Sequence, residues 1–232
     1  GHLPATGRAT APRPLMPRLA SARRRAPELL ARLGELYPEA TCSLDWRNPY
    51  ELLVATMLSA QCTDVRVNLV TPALFERFPD AAAAAAVEPG EVEPYVQSTG
   101  FFRNKAKAIV GASRLLVEHH GGNVPQTMEE LLLLPGVARK TASVVLAWCF
   151  GINAGVTVDT HVSRLAQRLQ LSRHREPRRI EPDLMKLVAQ ADWQNLSIRL
   201  IFHGRAVCTA RKPRCGDCPI ADLCPMGSRP SG

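Results

Sequence analysis

At 232 residues, 46% of them hydrophobic, the chain is long enough to bury a real core as one large domain or two small ones. Its 29 lysines and arginines against 21 acids leave a formal net charge of +8, which points to a polyanionic partner without naming one. No apolar run nears the roughly 18 residues of a spanning helix, so no membrane contact is expected.

In chain order, residues 1–27 come first. They hold Arg8, Arg13, Arg18, Arg23, Arg24 and Arg25, no acid, and many prolines and alanines. The stretch reads as a disordered basic arm, either a loose nucleic-acid tether or a solubilising tail. It lacks the apolar segment of a secretory signal. Folded elements are expected from about Pro27 onward. Asn48-Pro49-Tyr50-Glu51 gives an N-cap, a proline at the first helical position and an acid at the third. The run to Ser59 is apolar on most faces and therefore predicts a buried helix. Thr63 caps a helix from Asp64 to about Phe78, and Asp80 precedes a short alanine helix over 80–87. A brief piece lies around Tyr95, between Gly90 and Gly100. A further helix is predicted from Arg103 to Val117.

Thr127 to Glu130 forms a capping box before Leu131–Leu134, and Pro135-Gly136 stops that helix. The next is expected from Ala138 through Ala147. Asp159 or Thr160 caps another, ending near Gln170. Residues 172–182 are basic and proline-containing and read as a loop. Helices follow at 182–189 and 193–206. No hairpin or alternating strand pattern occurs, so the expected class is all-α.

Two helices joined through Leu134-Pro135-Gly136-Val137-Ala138 make a tight helix–hairpin–helix. Free amides at the start of its second helix, with the helix dipole behind them, suit a phosphate group. Arg139 and Lys140 lie in that same first turn. The alternative is an ordinary helical corner.

Cys208, Cys215, Cys218 and Cys224 fall within 17 residues, spaced x6, x2, x5. With no secretory signal the cluster reads as metal ligation rather than a disulfide framework. One close pair and two distant thiolates fit a [4Fe–4S] cube. Zinc held by four cysteines is the rival. Arg211, Lys212 and Arg214 sit inside the loop, where they suit phosphates or are merely solvated. Cys42, Cys62 and Cys149 have no evident partners.

Four segments carry a family resemblance. Leu134-Pro-Gly-Val-Ala-Arg-Lys-Thr-Ala142 resembles the hairpin signature of the endonuclease III family, and Val158-Asp159-Thr160-His161-Val162 resembles its catalytic aspartate segment. Leu58-Ser59-Ala60-Gln61 is similar to the helix-end motif whose glutamine fills the hole left by an extruded base. His203-Gly204-Arg205 followed by the four cysteines resembles the cluster loop. The segments stand in family order over residues 58–224.

The resemblance implies a two-lobed helix-hairpin-helix glycosylase fold with a C-terminal [4Fe–4S] loop on the four cysteines. One lobe would span 43–152, and the other 28–42 with 153–232, leaving a cleft between them. It further implies a bifunctional DNA glycosylase and abasic-site lyase acting on oxidised pyrimidines in damaged duplex DNA. Lys140 would be the nucleophile, favoured as neutral amine by its place at a helix start. Asp159 would stabilise positive charge on the sugar. Gln61, Gly136, Ala138, Arg139, Arg211, Lys212 and Arg214 would contact DNA. The chain departs from the pattern at Ala138, where the family usually has glycine. It departs again at Gly100-Phe101-Phe102-Arg103, where the family tends to carry an aliphatic wedge and a tyrosine. Phe101 reads as a wedge between bases or as a core phenylalanine. Without the resemblance, Lys140 would read as a phosphate binder and Asp159 as a plain cap. The alternatives are a mismatch or other-base glycosylase, and a non-catalytic DNA-binding module. A monomer is expected, cytoplasmic and nucleoid-associated if bacterial.

Overall fold

The computed structural model describes residues 18–227, and these contain eleven α-helices and no strand. In order they are α1 (Arg18–Leu36), α2 (Pro49–Leu58), α3 (Asp64–Arg77), α4 (Ala81–Ala85), α5 (Pro89–Val96) and α6 (Phe102–His120). Then follow α7 (Met128–Leu132), α8 (Arg139–Phe150), α9 (Thr160–Arg168), α10 (Pro177–Met185) and α11 (Trp193–Ala206). No helix among them is long and apolar enough to cross a membrane.

The expected caps hold the helix starts. Asn48 Oδ1 accepts from Glu51 N at 3.0 Å, and Asp80 Oδ1 from Ala83 N at 2.8 Å. Thr63 Oγ1 accepts from Arg66 N at 3.2 Å. Each such cap stabilises its helix by about 1 kcal/mol. The α2 helix is buried on every side, from Tyr50 to Leu58. Its one acid, Glu51, is buried but satisfied: Arg47 donates its backbone N–H and its guanidinium to the carboxylate.

Two hydrophobic clusters organise the chain. The first runs from Leu44 to Leu146 and centres on α2, with α8 against it and α4 and α5 packed on α6. The second joins Ala22, Leu29 and Leu33 of α1 to residues 156–220, including Leu165, Ile180, Leu184 and Leu200. Fully burying leucines such as Leu52, Leu53 and Leu165 contributes roughly 1.5–3 kcal/mol each.

Two sequence expectations fail. The basic arm does not extend to Pro27, because α1 begins at Arg18. The helix buries Ala22, Ala26, Leu29 and Leu33, a stripe at helical spacing whose first half is made of alanines too small to stand out. Arg25 is no solvated arm residue either, since its guanidinium donates to Leu169 O and Leu223 O. Residues 1–17 of the expected arm lie outside the described residues. The second failure is 172–182, which is not all loop. Pro177 opens α10 at its first position, and burial of Ile180 and Leu184 in the second cluster outweighs the proline at 182.

Candidate functional site

The hairpin lies between α7 and α8. Thr127 Oγ1 accepts from Glu130 N at 3.3 Å and starts α7. The turn then passes through Gly136 at φ +75°, a left-handed conformation. A Cβ there would stand 2.7 Å from Ala108 Cβ and 3.1 Å from Met57 Cε, so no other residue fits. Ala138 is the N-cap of α8 at φ −93°, ψ 168°, not a helical residue. That is ordinary extended backbone, and alanine takes it without strain. The first amides of α8 have no intrahelical acceptor.

Lys140 is the second residue of α8 and is exposed. Its amine makes no hydrogen bond or ion pair to any described residue. Asp159 is the N-cap of α9, its Oδ1 accepting from Val162 N at 2.8 Å. The capping use is therefore real, and it leaves the second carboxylate oxygen free. Lys140 and Asp159 line one open groove of about 1210 Å³, together with Gln61, His161, Arg175 and Arg205. An adjoining recess of about 90 Å³ is again lined by both residues, with Trp148 and Thr157.

Two ion pairs bridge the hydrophobic clusters on either side of that groove. Arg205 on α11 donates to Asp64 at the start of α3 at 2.8 Å and to Ser43 Oγ at 3.1 Å. Arg139 on α8 makes a two-pronged pair with Glu181 on α10, Nε and Nη2 each 2.9 Å from a carboxylate oxygen. Glu181 raises the already high pKa of Arg139 further by accepting both bonds. The guanidinium expected to contact DNA is thus committed to a protein carboxylate. A side chain on Gly155 would run into Glu181, which gives that glycine its reason. Glu181, Asp64 and Gly155 escaped the sequence reading. An acid inside a basic loop gives no sign of which distant cation it meets.

Gln61 lies in the middle of the loop between α2 and α3 in a left-handed conformation, φ 53°, and is exposed to the groove. Phe101 is also left-handed, φ 49°, at the start of α6. It is 63% exposed, which excludes the reading as a core phenylalanine. His161 is a structural histidine: its Nδ1 lies 3.0 Å from Arg164 Nη2, which also donates to Gly204 O. Burial holds His161 below its ordinary pKa, against the opposing pull of Asp159.

Cys208, Cys215, Cys218 and Cys224 all line a single cavity of about 120 Å³ at the C-terminal loop. A [4Fe–4S] cube takes four cysteine thiolates, the donor set that this cavity gathers. Burial, then the neighbouring thiols, push the Cys218 thiol up against the lowering effect of a backbone hydrogen bond at Ile220. The donor set therefore fits a [4Fe–4S] cluster. Arg168 Nη1 approaches Cys208 Sγ at 3.2 Å, and His203 Nε2 lies 3.5 Å from Cys218 Sγ. Of the loop's cations, Arg211 and Lys212 are exposed, while Arg214 donates to Ala206 O at 2.7 Å.

A family model for the HhH-GPD superfamily base excision DNA repair proteins matches residues 54–190. A second, for the iron–sulfur binding domain of endonuclease III, matches 208–224. Endonuclease III of Synechocystis sp. is 64% identical over 211 residues, covering 91% of this chain and 96% of that protein. Among solved structures, a non-covalent endonuclease III–DNA complex superposes with TM-score 0.84 at 41% identity, covering 88% of this chain and 96% of the other. A trapped endonuclease III–DNA covalent intermediate does so with TM-score 0.84 at 40% identity and the same coverage. With the hairpin, the groove and the four-cysteine loop in place, and relatives matched over nearly their whole length, the chain belongs to the endonuclease III family of base excision DNA repair proteins.

Proposed function

We propose that this protein is a bifunctional DNA glycosylase and abasic-site lyase that removes oxidised pyrimidines from duplex DNA. The observation that carries the reading is the shared groove: an unpartnered lysine amine on the first cluster's side, a half-free carboxylate on the second's. The residues from 43 to 152 form one lobe on this reading. Those from 18 to 42 join 153–227 in the other, as the two hydrophobic clusters suggest.

The chemistry follows from the groups present. The damaged nucleotide leaves the stack, at a cost of a few kcal/mol that is least for a damaged base. As the N-glycosidic bond lengthens, Asp159 stabilises positive charge at C1′. The Lys140 amine attacks C1′ as the C1′–N bond breaks, and the departing base carries off one of the amine's protons. The C1′–ring-oxygen bond then breaks, that oxygen takes a proton from water, and the nitrogen lone pair forms the Schiff base. A C2′ proton passes to water, its electrons form the C2′=C3′ bond, and the C3′–O bond breaks to release the 3′ phosphate. A relative caught as a covalent DNA intermediate supports this route.

Gln61 enters the gap, where its amide can both donate and accept. Phe101 wedges beside it by bulk. The free amides of α8 from Ala138 onward bind a backbone phosphate, with Gly136 making the turn that presents them. Arg211 and Lys212 add phosphate contacts from the loop. The cluster, when bound, supplies a cross-link that pins this loop. On this reading the protein acts as a monomer and, if bacterial, works in the cytoplasm in association with the nucleoid.

A nicking assay on three duplexes tests the proposal. Strands carrying an abasic site or thymine glycol should be cut and a normal strand left intact. Cutting at the abasic site alone would assign a different base or mismatch as substrate. No cutting at either would leave only a DNA-binding module.

A further inference from the structure

Lys105 lies in the second turn of α6 and is buried, 7% exposed, with Cys62 as its nearest charge partner and no ion pair to a carboxylate among the described residues. Its Nζ donates to Leu58 O at 2.8 Å and to Thr99 O at 2.8 Å. Leu58 is the last residue of α2, three positions before Gln61, and Thr99 is two positions before Phe101. The Lys105 backbone N–H donates to Phe101 O itself at 3.0 Å. One residue thus bonds to backbone a few positions before, or at, each of two left-handed, exposed side chains.

A buried ammonium is expensive. Burial lowers the pKa of Lys105, as expected for a charge drawn out of water. An apolar side chain of similar length would avoid that cost but would leave two carbonyls short of a donor. The ammonium suits its place in one respect, because Leu58 O belongs to the negative end of α2. A two-pronged donor fixes the separation of two loops where an apolar contact would let them slide.

We infer that Lys105 is a positioning residue for base extrusion, holding the Gln61 and Phe101 loops at a set distance so that both side chains enter the duplex together. The inference rests on the insertion reading of those two residues given above. A single-stranded abasic site has no stack to wedge and no gap to fill. Lys105 should therefore matter for duplex DNA and not for a single strand.

The test is borohydride trapping of the holoprotein on the same abasic oligonucleotide, single-stranded and paired, with cluster absorbance and melting midpoint as folding controls. Lys105→Met should lower the duplex trapping rate by about tenfold or more while changing the single-strand rate by less than about twofold. Lys105→Gln keeps two donor hydrogens without the charge and should fall between. It decides the question by the same ratio if the methionine variant does not fold. Equal loss on both substrates, or no loss on either, overturns the inference. Gln61→Ala runs in parallel. If it shows the duplex-specific loss and Lys105→Met does not, only the role of Lys105 falls. If Gln61→Ala shows no such loss, the insertion reading fails and takes the inference with it.

Discussion

Asp159 has two duties that one substitution can separate. Its Oδ1 caps α9, and asparagine is as good a cap as aspartate. Asp159→Asn should therefore keep the melting midpoint and DNA affinity while lowering single-turnover base release by roughly a hundredfold or more. A parallel fall in stability would mean that the carboxylate is structural. His161 permits a pH prediction. Its folded pKa is depressed, so the unfolded chain takes up the proton first, near the ordinary value of about 6.5. The stability this histidine contributes is present above that pH. It is lost as pH falls from there to the lower folded value. His161→Gln should flatten the decline in melting midpoint between pH 7 and pH 5, and an unchanged slope would contradict the assignment.

At the scale of elements, the Arg139–Glu181 pair ties the hairpin helix α8 to α10. Arg139→Gln would leave the largely buried Glu181 carboxylate without its charged partner, at a cost of roughly 1–3 kcal/mol read by denaturant melts. If Arg139 instead grips phosphate, stability would hold and the dependence of DNA affinity on salt would weaken by about one charge. The helices themselves were legible in the sequence wherever caps announced them, as Asn48, Thr63, Asp80, Thr127 and Asp159 do. The start of α1 was not, because Ala22 and Ala26 give a burial stripe little hydrophobic contrast. Nor was α10, where Pro177 and Pro182 read as breakers although one is a favoured first residue. The positions of Lys140, Asp159 and the four cysteines could be read from local motifs. Their convergence on one groove and one cavity was expected from the family resemblance and not from the local motifs, since it depends on how α8, α9 and α11 pack. The pairing of Arg139 with Glu181 was not legible either, because that partner lies 42 residues away on another helix.

At the scale of the whole molecule, two hydrophobic clusters are tied by Arg139–Glu181 and by Arg205–Asp64, the latter pair lining the groove, and the cysteine loop closes the second cluster. Removing the cluster should release Arg211 and Lys212 from their fixed places without dismantling the groove. A Cys218→Ala variant should lose visible absorbance, bind duplex DNA more weakly, and show a salt slope shallower by about two charges. Trapping on a single-stranded abasic site should survive, and its complete loss would make the cluster a requirement of the active site itself. The central claim is that the Lys140 amine forms the bond to the sugar. Borohydride reduction during reaction with an abasic duplex tests it most directly: the protein should become covalently joined to DNA, and Lys140→Ala, still folded and still binding, should not. An adduct that persists in Lys140→Ala, or none in the unaltered protein, would contradict the account.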